Sequence, residues 1–258
     1  MKRAWVFLTA FVFLSGSPAM AADVAQLEEL LSRSRDAYES VKDYRAVFLK
    51  QEQAHGVLGP KETIFLKFEK PFKIFMQWLD TDKKGLQVLY ERGRHDGKLA
   101  IHKPGLLLGL APVVFLEQSS PWVREGSESY DIEDAGIGTF LEDFSKMTQK
   151  GVQANKIQSS FSEVDGGTLA DVIFPGSEPD DVYFASRVEV LFDKKTALPV
   201  SMTLYDWQGK VTGIYKYNEL HLNVGADDAE FRSLAHKKLQ KLFLPPVKST
   251  QKTNFTSR

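Results

Sequence analysis

Residues 62–91 read ETIFLKFEKPFKIFMQWLDTDKKGLQVLYE, and the period of this stretch decides the fold. Ile64, Leu66 and Phe68 alternate with Phe65, Lys67 and Glu69. After the breaker Pro71, Phe72, Ile74, Met76 and Trp78 alternate with Lys73, Phe75, Gln77 and Leu79. Leu86, Val88 and Tyr90 then alternate with Gln87, Leu89 and Glu91. A period of two sends successive side chains to opposite faces, so the stretch predicts strands with one face buried.

The same pattern extends in both directions. Upstream, Tyr44 to Gln53 reads as a strand and His55 to Pro60 as turn chemistry. Before them, Asp23 to Val41 reads as an amphipathic helix, with Val24, Leu27, Leu30, Leu31, Ala37, Tyr38 and Val41 at helical spacing. Downstream, Arg94-His95-Asp96-Gly97 is a hairpin signal leading into Lys98 to His102. Gly105 to Leu116 is nearly all apolar, but Pro112 and two glycines let it fit neither period. Gly136 to Lys150 returns to helical spacing, with Ile137, Phe140, Leu141, Phe144 and Met147 on one face.

A second β run follows. Ile157 to Val164 and Thr168 to Phe174 flank Asp165-Gly166-Gly167, and Val182 to Asp193, Leu198 to Trp207 and Lys210 to Leu222 complete it, with Gln208-Gly209 as a tight turn. Asp227-Asp228 are placed to cap a final helix through about Phe243, which Pro245-Pro246 stop. Lys248 to Arg258 is polar and reads as a disordered tail. Long strands in meander order with few helices predict a mainly β (α+β) chain built on one large curved antiparallel sheet.

Composition narrows the function classes. The 258 residues carry 33 Lys+Arg against 34 Asp+Glu, a net charge of −1 that offers no basic face to nucleic acid. Cysteine is absent, so the core must hold without disulfides. Lys2-Arg3, the apolar run Ala4 to Leu14 and the small residues of Ala19-Met20-Ala21 read as a cleavable export signal. The apolar run falls short of the roughly 20 residues that span a bilayer. The expected organisation is therefore a signal peptide over 1–21, a single β domain over 22–244 and a disordered tail over 245–258. With no cysteine to receive a lipid, the mature protein is expected to be soluble and unanchored in its compartment outside the cytoplasm, as a monomer.

Local catalytic and metal motifs are missing. His55, His95, His102, His221 and His236 share no metal-ligand spacing, and no H-E-x-x-H, phosphate loop or dinucleotide fingerprint is present. Gly126-Ser127-Glu128-Ser129 ends in Tyr130 and so makes no nucleophile elbow. Asp180-Asp181 and Asp227-Asp228 lack calcium-loop spacing and read as a turn and a helix cap. No catalytic residue, metal or cofactor is assigned, and the chain is read as a non-enzyme.

The distinctive load is large apolar surface. Phe72, Ile74, Met76, Trp78, Val88, Tyr90, Met202 and Leu204 fall on the apolar strand phases, and Leu106 and Leu110 lie in the apolar segment expected to cover or gate them. Two readings stand side by side. These residues are packed core, or they line a slot left by helices that only partly fill the sheet. Each buried methylene is worth about 0.8 kcal/mol, so a modest slot would hold an acyl chain without any catalytic group.

The spaced residues Asp43-Tyr44, Glu52, Gly56, Leu58, Glu62, Lys67, Pro71-Phe72, Met76, Trp78-Leu79, Gly85 and Leu89-Tyr90 resemble the DUF1571 family. Gly93, Asp96-Gly97-Lys98-Leu99, His102 and the region Ile132 to Phe144 continue the likeness. Tyr130-Asp131-Ile132 departs from it. That family is similar in turn to the LolA/LolB-like lipoprotein carriers and to the sensor RseB. The resemblance implies an open half-barrel of antiparallel strands with helices in its concave mouth and a hydrophobic cavity for acyl chains. It implies a periplasmic carrier or binder of a lipid or acylated lipoprotein, with an inner- or outer-membrane protein as partner. The rival expectations are a sensor of RseB type and an exported hydrolase of unrecognised type.

Overall fold

In the computed structural model the described residues are 18–104, 113–120, 132–174, 176 and 182–225. Helix α1 (Pro18–Glu39) leads into β1 (Asp43–Ala54), a short β2 (Val57–Leu58), β3 (Glu62–Glu69), β4 (Lys73–Trp78), β5 (Gln87–Glu91), β6 (Leu99–His102) and β7 (Val113–Leu116). Helix α2 (Ile137–Gln153) separates these from β8 (Gln158–Val164), β9 (Gly167–Ile173), β10 (Arg187–Asp193), β11 (Pro199–Tyr205) and β12 (Val211–Leu222). All strands join one twelve-stranded sheet in the order β7-β6-β5-β4-β3-β1-β12-β11-β10-β9-β8, with β2 paired to β1. Every pairing is antiparallel, and the sheet stays open.

The expected meander is thus two meanders. One runs from β1 out to β7, the other from β8 back to β12, and the long-range pairing of β1 with β12 joins them. Turn chemistry closes the local hairpins. Gly166 takes φ +99° in the tight β8–β9 turn, a region open to glycine at no steric cost. At Gln208-Gly209 the Asp206 carboxylate accepts the N–H groups of Gln208 and Lys210, at 2.9 and 2.8 Å. β12 carries an extra residue opposite Arg45–Val47, and Glu219 there has φ +50°, so the joining strand is bulged.

One face of the sheet carries the helices and most of the core. Leu27 and Leu31 of α1 and Ile137, Leu141, Phe144 and Met147 of α2 pack in one cluster with Ile64, Leu66, Phe68, Ile74, Val188, Val190 and Phe192. Tyr44 fixes the start of α2: its hydroxyl accepts the Ile137 N–H at 3.2 Å. Among the described residues no helix is long and apolar enough to cross a membrane.

The strand phases need four corrections. Phe75 and Leu89, assigned to the exposed phase, are buried on the opposite face with Ala100 and Val113, and Phe65 and Phe115 pack against them. Both faces of the β3–β7 half are therefore apolar, which a single-faced alternation does not anticipate. Val113–Leu116, at the end of the apolar segment that fits neither period, is the edge strand β7. Val57–Leu58, inside the expected turn, folds back as β2. Residues 182–186, read as part of a long strand, precede β10, and Ser186 among them bonds with Phe174 and Tyr205. The expected cleavage site Ala19-Met20-Ala21 falls at the start of α1, and the 105–112 segment, the final helix over 227–243 and the tail lie outside the described residues.

Candidate functional site

The helix-bearing face is read most easily as cross-strand rows. Tyr90, Ile74, Phe68 and Tyr44 lie side by side on β5, β4, β3 and β1. The next row is Val88, Met76, Leu66 and Ala46. A third is Trp78, Ile64, Phe48 and Tyr217. Aromatic contacts knit the rows together. Tyr44 stacks on Phe68 at 5.0 Å, Phe72 meets both Phe68 and Tyr90 edge-on, and Phe48 packs on Tyr217 at 4.8 Å.

Phe72, Ile74, Met76, Trp78, Val88 and Tyr90 therefore form one contiguous patch, and all are buried. Met76 and Trp78 at 8% and Val88 at 7% keep slightly more exposure than Ile64, Leu66 and Ile74, which keep none. Met202 and Leu204 are also buried on this face, beside Val190 and Val188 of β10. They do not touch the β4–β5 patch through the ladder, because β3, β1 and β12 intervene. Leu106 and Leu110 lie outside the described residues.

A charged row at one end of β3 and β1 was missed in the sequence. Glu62 stands opposite Lys50, Lys50 opposite Tyr215, and Tyr215 opposite Met202. Glu62 is buried at 5% exposure, its carboxylate accepting the Trp78 indole N–H at 3.0 Å and pairing with the Lys83 ammonium at 2.6 Å. Lys50 pairs with Glu52 at 2.8 Å, and the Tyr215 hydroxyl donates to Glu52 at 3.0 Å. A band of two carboxylates and two ammonium groups thus borders the apolar face where β3 begins and β1 ends, one row beyond Trp78, Ile64, Phe48 and Tyr217. Its signal was legible: Glu62 is in phase with Ile64, Leu66 and Phe68, and Lys50 and Glu52 are in phase with Tyr44, Ala46 and Phe48.

A second polar fixture lies at the α2 end of the face. The Tyr90 hydroxyl donates to the Glu133 carboxylate, which also accepts from Arg92 Nε at 3.0 Å. These bonds hold the Glu133 carboxyl below its ordinary range, the Tyr90 bond contributing most. Burial first, and Glu133 second, push the Tyr90 phenol up to about 12. Tyr44 and Tyr217 are fully buried phenols raised by desolvation. Among the described residues no group of three or more His, Asp or Glu side chains could hold a metal ion. A groove of about 280 Å³ between α1 and the ends of the β8–β9 and β10–β11 hairpins is lined by Leu30, Arg33, Glu163 and Lys194 among others, and holds none of the predicted residues.

The family model of the protein of unknown function DUF1571 matches residues 41–239. The chain belongs to the DUF1571 family. No curated protein matches it. Among solved structures, this DUF1571 chain is similar to a conserved protein from Thermus thermophilus, at 8% identity and a TM-score of 0.45 over 80% of this chain and 93% of that one. A DUF1329 family protein from Desulfovibrio piger gives 14% identity and a TM-score of 0.43 over 83% and 98%. A LolA superfamily protein from Nitrosomonas europaea gives 10% identity and a TM-score of 0.36 over 78% and 95%.

Proposed function

We propose that this DUF1571 chain is an exported periplasmic carrier or binding protein that takes up the acyl chain of a lipid or acylated lipoprotein. The ligand would lie along the helix-bearing face at Phe72, Ile74, Met76, Trp78, Val88 and Tyr90, and at Met202 and Leu204 on β11. The reading extends to Leu106 and Leu110. The observation that carries it is the contiguous patch of large apolar side chains on a sheet that does not close on itself. Along such a patch each methylene of a chain withdrawn from water contributes about 0.8 kcal/mol. Flexible Met76 and Met202 suit a surface that must accept chains of differing shape. The basic Lys2-Arg3, the apolar run Ala4 to Leu14 and Ala19-Met20-Ala21 support export.

The test is a titration with an uncharged naphthylamine dye that fluoresces in apolar surroundings, competed by a fatty acyl chain. Saturable binding that weakens at least fivefold in Met76→Ala and Val88→Ala, with both variants still folded, is the expected result. A folded wild-type protein that binds no dye, and no acyl chain by calorimetry, would overturn the proposal.

A further inference from the structure

The charged band across the inner face has no evident structural purpose. Going along β3 from Phe68 to Glu62, and along β1 from Tyr44 to Glu52, the inward residues are apolar until Glu62, Lys50 and Glu52. Glu62 and Glu52 keep only 7% and 10% of their side-chain surface, and Lys50 only 19%. Burying ion pairs of this kind costs desolvation that well-packed apolar residues would not incur, so stability does not account for them. Their placement does suggest a role. They sit at the margin of the apolar cluster, in the row next to Trp78, Ile64, Phe48 and Tyr217, with Tyr215 between Lys50 and Met202.

Resting on the acyl-binding reading, we infer that Glu62, Lys83, Lys50 and Glu52 receive the polar head of the ligand, and that the head they fit is zwitterionic. The band carries two positive and two negative groups, each paired inside the protein. A purely anionic head that takes Lys83 leaves Glu62 buried without a countercharge, and a purely cationic head strands a lysine in the same way. A head that carries both an anion and an ammonium exchanges partners without stranding either: its anion takes Lys83 while its ammonium takes Glu62. The Trp78 indole, which donates to Glu62, joins the two subsites, with its ring in the apolar patch and its N–H in the band. Lys83 suits the exchange because its side chain is 30% exposed and is carried on the β4–β5 loop rather than on a strand.

The experiment displaces the uncharged dye from the whole protein with three single-chain lipids of one acyl length, below their micelle concentrations. One head is a phosphoethanolamine, one an anionic phosphoglycerol and one an uncharged glycerol. Phosphoethanolamine without a chain is the fourth competitor. The expected result is about tenfold tighter binding of the zwitterionic lipid than of the anionic one, which corresponds to one charge-assisted hydrogen bond. In Glu62→Gln/Lys83→Met the three lipids converge to within about twofold while dye affinity is unchanged. Lys50→Met/Glu52→Gln tests the second pair, and thermal melts show which variants fold. Equal affinities in wild type, or preference for the anion, overturns the inference while intact dye binding leaves the acyl reading standing. Displacement by chainless phosphoethanolamine at the concentration of the lipid also overturns it, because the band would then be a site for the free head. Absence of dye binding overturns both.

Discussion

Trp78→Phe isolates the bond that links the apolar patch to the charged band. Phenylalanine keeps an aromatic ring opposite Ile64 but removes the N–H that Glu62 accepts at 3.0 Å. Glu62 is 5% exposed, so water cannot fully replace the lost donor, although Lys83 still holds the other oxygen at 2.6 Å. A hydrogen bond to a charged group contributes about 1.5–3 kcal/mol, and the smaller ring adds about 1 kcal/mol of lost packing. The expected loss is therefore about 2.5–4 kcal/mol by urea melt. A cycle with Glu62→Met separates the two parts, since packing loss is present with or without the carboxylate. A coupling energy of at least about 1 kcal/mol between the two changes is expected. Additivity within about 0.5 kcal/mol would refute the claim that this bond is formed and matters.

At the α1–α2 contact, a Cβ on Gly138 would fall 2.4 Å from the Tyr38 ring, which Lys70 holds from another side at 4.3 Å. Gly138→Ala should lower stability by about 1–3 kcal/mol, and Tyr38→Leu should recover much of that loss in thermal melts. On the opposite face, Phe75→Ala should cost about 3–5 kcal/mol by urea melt, as for any packed core aromatic, and a loss below 1 would show the outer cluster to be loose. Tyr38 and Tyr90 are raised to about 12, chiefly by burial, and Tyr44 and Tyr217 are raised by burial as well. Their folded values lie above the unfolded value near 10, so stability present below about pH 10 is lost as pH rises toward about 12. Tyrosinate absorbance should grow together with unfolding, and titration of these phenols ahead of unfolding would contradict the assignment.

Much of this architecture is written locally. Period-two runs place β3 over the residues expected, and Ile137, Leu141, Phe144 and Met147 mark the buried face of α2 at helical spacing. Six of the predicted site residues came together because β4 and β5 are a hairpin, and hairpin register follows from the turn. What escaped was non-local. Nothing in Tyr44–Gln53 or Lys210–Leu222 announces that these strands pair across the chain, and that pairing puts β1 and β12 between Trp78 and Met202. The charged band was hidden for a related reason. Strand phase places Lys50, Glu52 and Glu62 each on the inward face, but only the pairing of β1 with β3 brings them side by side. Phe75 and Leu89 were misassigned because alternation names two faces but cannot say that both are covered.

Acyl binding at the inner face requires that it carry an amphiphile in the cell. Native mass spectrometry of the protein expressed from all 258 residues and recovered without detergent measures that directly. The expected result is a population heavier than the bare chain by the mass of a lipid or an acylated fragment, stripped by organic solvent and diminished in Met76→Ala. A single species at the bare mass that stays bare after incubation with single-chain lipids would contradict it.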